Sequence, residues 1–153
     1  MPLYRLLYRS DIALSAQAGA LDDQIQAIVA LSARANARDS LSGALIASSG
    51  VFIQALEGPL TALEATFERI CRDLRHRRVR LIELAAAEDR AFAEWRMIRV
   101  DNKEDVLRLC SEFGLQGSGR PDALKTSAII SLMRSLLISN ASVATGAGFA
   151  RQG

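Results

Sequence analysis

Leu41-Ser42-Gly43-Ala44-Leu45-Ile46-Ala47-Ser48-Ser49-Gly50-Val51-Phe52-Ile53-Gln54-Ala55-Leu56-Glu57 contains two strand-like runs around a small, glycine-bearing break. Leu41 to Ala47 and Val51 to Glu57 each fit a strand, and Ser48-Ser49-Gly50 is a short hairpin signal. Upstream, Leu21 to Ala37 carries Leu21, Ile25, Ile28 and Val29 at helical spacing. Further upstream, Leu3 to Arg9 alternates as a strand, with Tyr4, Leu6 and Tyr8 on one face and Leu3, Arg5, Leu7 and Arg9 on the other. Downstream of the hairpin, Gly58-Pro59 precedes Thr61 to Glu64, which has the form of a capping box. It opens a second helix whose buried stripe is Leu63, Phe67, Ile70, Cys71 and Leu74. Val79 to Ala85 reads as a fourth strand and Trp95 to Val100 as a fifth. The order is β-α-β-β-α-β-β, the split βαβ pattern of an α+β ferredoxin-like sheet with two helices on one face.

The texture changes after residue 100. Val106, Leu109, Cys110 and Phe113 mark a short amphipathic helix, and a breaker stretch runs from Gly114 to Pro121. A longer helix follows, with Ile129, Leu132, Met133, Leu136 and Leu137 on one side. The reading is a domain over residues 1–100, a helical extension over 101–140, and a small, polar, disordered tail over 141–153. Two helices cover only one face of the sheet, which leaves Leu3, Leu7, Val51 and Ile53 on an apolar opposite face. The C-terminal helices are expected to cover it, with a second subunit as the other candidate.

Composition excludes several classes. The chain has 153 residues, 50% of them apolar and 24% charged, with a formal net charge of +2. That charge is too small to imply nucleic acid. No run approaches the roughly 18 apolar residues of a membrane span, and the polar start does not read as a signal peptide. Cys71 and Cys110 both sit at apolar helix positions, so two buried thiols in a reducing cytoplasm are expected rather than a disulfide framework. Positive charge clusters at Arg72, Arg75, Arg77, Arg78 and Arg80 around His76. A solvated helix end and a site for a phosphorylated ligand both remain open on charge alone.

Ser32 and Asn36 fall inside the apolar stripe of the first helix at about 100° per residue. Buried there, each needs a partner or costs roughly 1–3 kcal/mol. Strand parity points Tyr8 and Gln54 toward the same helix. The set is a phenol, two carboxamides and a hydroxyl, all uncharged at neutral pH. It has no metal-ligand character and no nucleophile with an activating base. A buried phenol can release an electron and a proton together, and an amide can offer oxygen or nitrogen to one neighbour. Such a pair could act as a hydrogen-bond switch against a redox-active ring, or form a satisfied core network without a ligand.

Particular words of the sequence decide between these. Leu7-Tyr8-Arg9-Ser10, Ser32-Ala33-Arg34-Ala35-Asn36 and Leu41-Ser42-Gly43-Ala44-Leu45 resemble the opening of BLUF domains, the flavin-binding blue-light sensors. Gly50-Val51-Phe52-Ile53-Gln54-Ala55-Leu56-Glu57-Gly58 is similar to that family's most distinctive motif. Arg72-Asp73-Leu74-Arg75-His76 and Phe92-Ala93-Glu94-Trp95-Arg96-Met97 resemble two later segments, all in order over about residues 3 to 100. Ala35, Ser42 and Ala91 depart from the commoner residues at their positions.

The resemblance implies a noncovalent flavin, usually FAD with FMN or riboflavin as alternatives, held between the two helices. It implies that Tyr8 donates an electron and a proton on illumination and that Gln54 rearranges between Tyr8 and the ring. Asn36, with Ser32 close by, would hold the ring's polar edge, and Ile28 and Ile70 would be its aliphatic walls. Arg69, Asp73, Arg75 and His76 match positions near the flavin or its ribityl-phosphate arm. Trp95 and Met97 match residues that relay the signal into the last strand.

The expected function is therefore a cytoplasmic, stand-alone blue-light photoreceptor rather than an enzyme, since no catalytic output domain is expected after residue 100. It would signal through the last strand and the C-terminal helices to an effector protein, as a dimer or larger ring, without nucleic acid or membrane. The alternative is an RRM-like RNA-binding module, which needs aromatic side chains on an open, basic sheet face. An acylphosphatase-like enzyme using Arg9 and Asn36 has topological support only.

Overall fold

The 41–57 hairpin is present and supplies two of the five strands of a mixed sheet. The computed structural model describes residues 2–14, 18–48, 50–100 and 127–136. Its elements are β1 (Tyr4–Ile12), α1 (Ala18–Arg38), β2 (Ser42–Ser48), β3 (Val51–Gly58), α2 (Leu60–Arg72), β4 (His76–Ala86) and β5 (Ile98–Val100). A further helix, α3, spans residues 127–136. The strand order is β4-β1-β3-β2-β5. All neighbours are antiparallel except β2 and β5, which run parallel. The hairpin closes at Ser48↔Val51, with Gly50 at φ +78, a left-handed conformation that costs glycine little.

This is the expected α+β arrangement, and each face of the sheet has its own core. On one face Leu6, Tyr8, Leu45, Phe52 and Leu56 pack with Ile25 and Ile28 of α1 and Leu63 of α2. On the other, Leu7, Ala44, Ile46, Ile53 and Ala55 pack with Phe92 and with Ile129, Ile130 and Met133 of α3. The period-two alternation of β1 and β3 thus divides the side chains between two buried layers. The face left open by α1 and α2 is covered by α3.

Several boundaries differ from the sequence reading. The α1 helix starts at Ala18, three residues before Leu21. No capping box forms at Thr61 and Glu64, because Pro59, extended at φ −62 and ψ 142, is itself the N-cap and has no side-chain cap bond. Thr61 therefore lies inside the first turn, too late to cap it. The same helix ends at Arg72, where Asp73 turns extended. Leu74 is consequently 90% exposed, and Cys71 is also exposed rather than buried.

Residues 76–80 belong to a strand, not to a helix end, because β1 continues to Ile12 and pairs with His76. The fifth strand is shorter than Trp95 to Val100. Trp95 donates its N–H to Phe92 O at 3.1 Å and gives its carbonyl to Gly43 N, so the chain turns there and pairs only from Ile98. Gly43 permits this approach: a Cβ would lie 2.3 Å from Ala55 O and 3.3 Å from Met97 Cε. The helix around Val106 to Phe113, Cys110, the Gly114 to Pro121 stretch, Leu137 and the 141–153 tail lie outside the described residues.

Candidate flavin site

The two helices leave a cleft of about 280 Å³ against β1 and β3. Tyr8 and Gln54 form its floor because they are direct partners in the β1–β3 register and share the face that looks at the helices. The Tyr8 hydroxyl donates to Gln54 Oε1 in a short hydrogen bond. Gln54 Nε2 donates onward to Met97 Sδ at 3.6 Å. Tyr8, Gln54 and Met97 are all buried, so the three form one continuous polar thread inside an apolar layer. Burial raises the Tyr8 pKa far above the ordinary phenol value, with the Asp73 charge adding to it. Tyr8 is accordingly a neutral phenol at every ordinary pH.

The walls come from facing helices. Ile28, Ser32, Ala35 and Asn36 of α1 line one side, and Thr66, Arg69 and Ile70 of α2 the other. Asn36 is 2% exposed and donates through Nδ2 to Arg96 O at 2.6 Å. A carboxamide offers two N–H donors and a carbonyl, so Asn36 can bind Arg96 O and a ligand edge together. Ser32 is only half-buried, which lowers the cost assigned to its hydroxyl from sequence.

The mouth is polar. Arg75 closes a fork on Asp73, with Nε at 2.9 and 3.0 Å from the two carboxylate oxygens and Nη2 at 2.5 Å. The bonds from Arg75 hold the Asp73 carboxyl below its usual range, and Asp73 in turn raises Arg75. His76 Nδ1 lies 2.7 Å from Ser10 Oγ, with its ring against Phe52 and Tyr8. Arg69 bonds Thr66 Oγ1 at 3.1 Å.

Of the clustered arginines, only Arg75 lines the cleft. Arg72 ends α2, and Arg78 pairs with Asp11 at 2.6 Å away from it. All ten residues expected to bind the cofactor therefore line one cavity: Tyr8, Ile28, Ser32, Asn36, Gln54, Arg69, Ile70, Asp73, Arg75 and His76. Trp95 and Met97, by contrast, are separated. Met97 packs in the layer under α1 and α2, whereas Trp95 packs against the opposite core, beside α3.

Burial lowers the His76 pKa, the Asp73 charge opposing this only in part. The folded imidazole thus resists a proton that the unfolded chain accepts near pH ~6.5. The sign follows: His76 has no effect on stability well above pH ~6.5, and stability falls as pH drops below it. Denaturation midpoints should decline between pH 7.5 and 5, with a shallower decline in His76→Gln. Equal slopes would show that His76 is not the titrating group.

Several lining residues carried a signal in the sequence. Phe52 shares parity with Gln54, and Thr66 lies one turn from Ile70. The role of Arg96 as an acceptor had none, because it uses the main-chain carbonyl.

A flat heterocycle with a hydrogen-bonding edge and an anionic tail suits this donor set. Aliphatic walls face each other across the cleft, amides lie at its depth, and arginines and a histidine stand at its mouth. The fold and site thus define a cofactor-binding module of the split βαβ type. The family model BLUF, sensors of blue-light using FAD, matches residues 3–98, and the chain belongs to that family.

Among solved structures, the BLUF protein BlrB in its dark state is 25% identical, with 88% of this chain and 96% of that one covered and a TM-score of 0.71. Klebsiella pneumoniae BlrP1 with FMN and cyclic diGMP is 28% identical over 84% of this chain and 34% of its own, at a TM-score of 0.61. A bacterial light-regulated adenylyl cyclase is 26% identical over 93% of this chain and 35% of its own, at a TM-score of 0.57. A comparison with curated proteins finds no match.

The domain is a blue-light photoreceptor using FAD and a sensor rather than an enzyme. The open aromatic sheet face that an RRM-like module needs is replaced by aliphatic side chains beneath α3. Among the described residues no helix is long and apolar enough to cross a membrane.

Proposed function

We propose that Tyr8 and Gln54 are the photoactive pair, with Asn36 holding the polar edge of the flavin, Ser32 beside it, and Ile28 and Ile70 as its walls. Arg69, Asp73, Arg75 and His76 serve the ribityl-phosphate arm. The observation that carries this reading is the buried thread from Tyr8 through Gln54 to Met97. When bound, the flavin supplies blue-light absorption and an electron-accepting excited ring. Tyr8 gives up an electron and its phenolic proton and takes both back, so no covalent bond differs afterwards. Gln54 is left with its carboxamide turned, and Met97 Sδ loses or changes the donor it accepts from. Trp95 takes no part in the pocket itself and acts from the far face.

The sensing unit is residues 1–100 and the extension 101–140 its output. BlrP1 and the light-regulated cyclase join this kind of domain to further chain, which supports an effector protein as the partner here. The receptor acts in the cytoplasm as a homo-oligomer, without nucleic acid.

Absorption spectra of the purified protein before and after blue illumination test the reading. A flavin spectrum with a small red shift that reverts in the dark is expected. Folded protein that takes up no flavin on reconstitution, or whose spectrum does not move, overturns it.

A further inference from the structure

The segment between β4 and β5 carries Met97, the last member of the buried thread. It is also the segment that α3 grips, through Arg134. Arg134 Nη1 donates to Ala91 O at 2.7 Å and to Glu94 Oε2 at 2.7 Å. Its Nη2 donates to Glu94 Oε1 at 3.0 Å, completing a bidentate fork. The guanidinium carbon also stands 5.4 Å from the centroid of the Trp95 ring. One side chain of α3 therefore holds a carbonyl, a carboxylate and an aromatic face within five consecutive residues, two positions before Met97.

We propose that Arg134 is the positioning residue that couples the state of Gln54 to α3, by binding the 91–95 turn in the setting that Met97 imposes. The inference rests on the photoactive role given above to Gln54. Apolar contacts of Ile129, Ile130 and Met133 seat the helix on the sheet, but such contacts are non-directional and tolerate small shifts of the turn. Arg134 does not tolerate them. A planar fork on a carboxylate, with a second donor on a carbonyl and a ring beneath, fixes both distance and plane.

The strength is also suitable. Arg134 and Glu94 are 35% and 53% exposed, so the pair is screened and worth little to the fold. An interaction of that size can still shift a helix between two settings of similar energy. A change at Gln54 moves the Met97 partner, the turn adjusts, and the fork on Arg134 is made or released. The fork also holds the Glu94 carboxyl down at about 2, so the pair stays ionised throughout the working range of pH.

Hydrogen exchange of the amides in residues 127–136, measured on the full flavin-loaded chain in darkness and under blue light, tests this. Wild type should exchange about fivefold faster in one state than in the other, the weight of a partly exposed ion pair over a ring. In Arg134→Gln and in Glu94→Gln that difference should vanish while the red shift keeps its ordinary size. Arg134→Lys should keep part of it, since a point charge retains the attraction but not the fork. Salt near 1 M, where the Debye length falls to ~3 Å, should narrow it in wild type.

A light-dependent difference that persists in both neutral variants overturns the role of Arg134. So does a wild type that shifts its spectrum but shows no difference in 127–136. A wild type with no spectral shift at all removes the photoactive reading of Gln54, and this inference with it. Trp95 is the only tryptophan in the chain. Its fluorescence in the flavin-free protein should change on Arg134→Gln, and an unchanged spectrum would mean that the guanidinium does not lie on the ring.

Discussion

Gln54→Leu should abolish the light-induced red shift completely and leave flavin bound. Leucine fills much of the same space but can neither accept from the Tyr8 hydroxyl nor donate to Met97 Sδ, and both of those bonds run through the Gln54 amide. The variant leaves a fully buried phenol without a partner, at a cost of roughly 1–3 kcal/mol, so it should fold with lowered stability. Ile28, Asn36 and Ile70 still line the cleft, which is why binding should survive. Tyr8→Phe should give the same spectral silence for the complementary reason, since it removes the proposed electron and proton donor. The measurement is the difference spectrum under saturating blue light for each variant. A normal shift in Gln54→Leu would remove the amide from the mechanism.

Glu57→Ala should produce the largest loss of stability of any single change outside the pocket. Glu57 is fully buried yet carries four partners. It accepts from Arg5 Nε at 2.8 Å, Ser42 Oγ at 3.2 Å, Ala91 N at 2.6 Å and Phe92 N at 2.8 Å. Its strand parity puts the carboxylate on the face toward α3, where it anchors the start of the turn that ends in Met97. Removing it leaves the Ala91 and Phe92 N–H groups without their acceptor, at about 1–3 kcal/mol each, and takes one partner from Arg5, which keeps Asp89 O at 2.9 Å. For a chain of this length that is a fall in Tm on the order of 10 °C. Glu57→Gln should cost less, because one amide oxygen still accepts while the amide nitrogen opposes the other donors. Thermal unfolding of both variants against wild type gives the result. A loss below about 1 kcal/mol would mean that the turn is held by its other contacts, those of Arg134 among them.

Such features show where sequence reading succeeds and where it ends. The hairpin at 41–57, the strand parity of Tyr8 and Gln54, and the inward Asn36 follow from periods of two and 3.6, which are local properties, whereas the register that makes Tyr8 and Gln54 partners is not. The end of α2 is hidden in the sequence because Cys71 and Leu74 continue an apolar spacing that Asp73 interrupts with an extended conformation. The brevity of β5 depends on Gly43 accepting the turn at Trp95, a contact that no local pattern encodes. Asn36 meets Arg96 across 60 residues, and Arg134 meets Glu94 across 40. Glu57 did carry a signal, since a charged residue at an aliphatic strand parity asks for partners as Asn36 does.

The central place of β3 has a consequence for what can move there. It is laddered on both sides, by β1 and by β2, so its main chain cannot slide without breaking two sets of bonds at once. A rearrangement confined to the Gln54 side chain would therefore leave the ladders of β3 intact. A side chain on such a strand can exchange its hydrogen-bond partners while the main chain beneath it keeps its register.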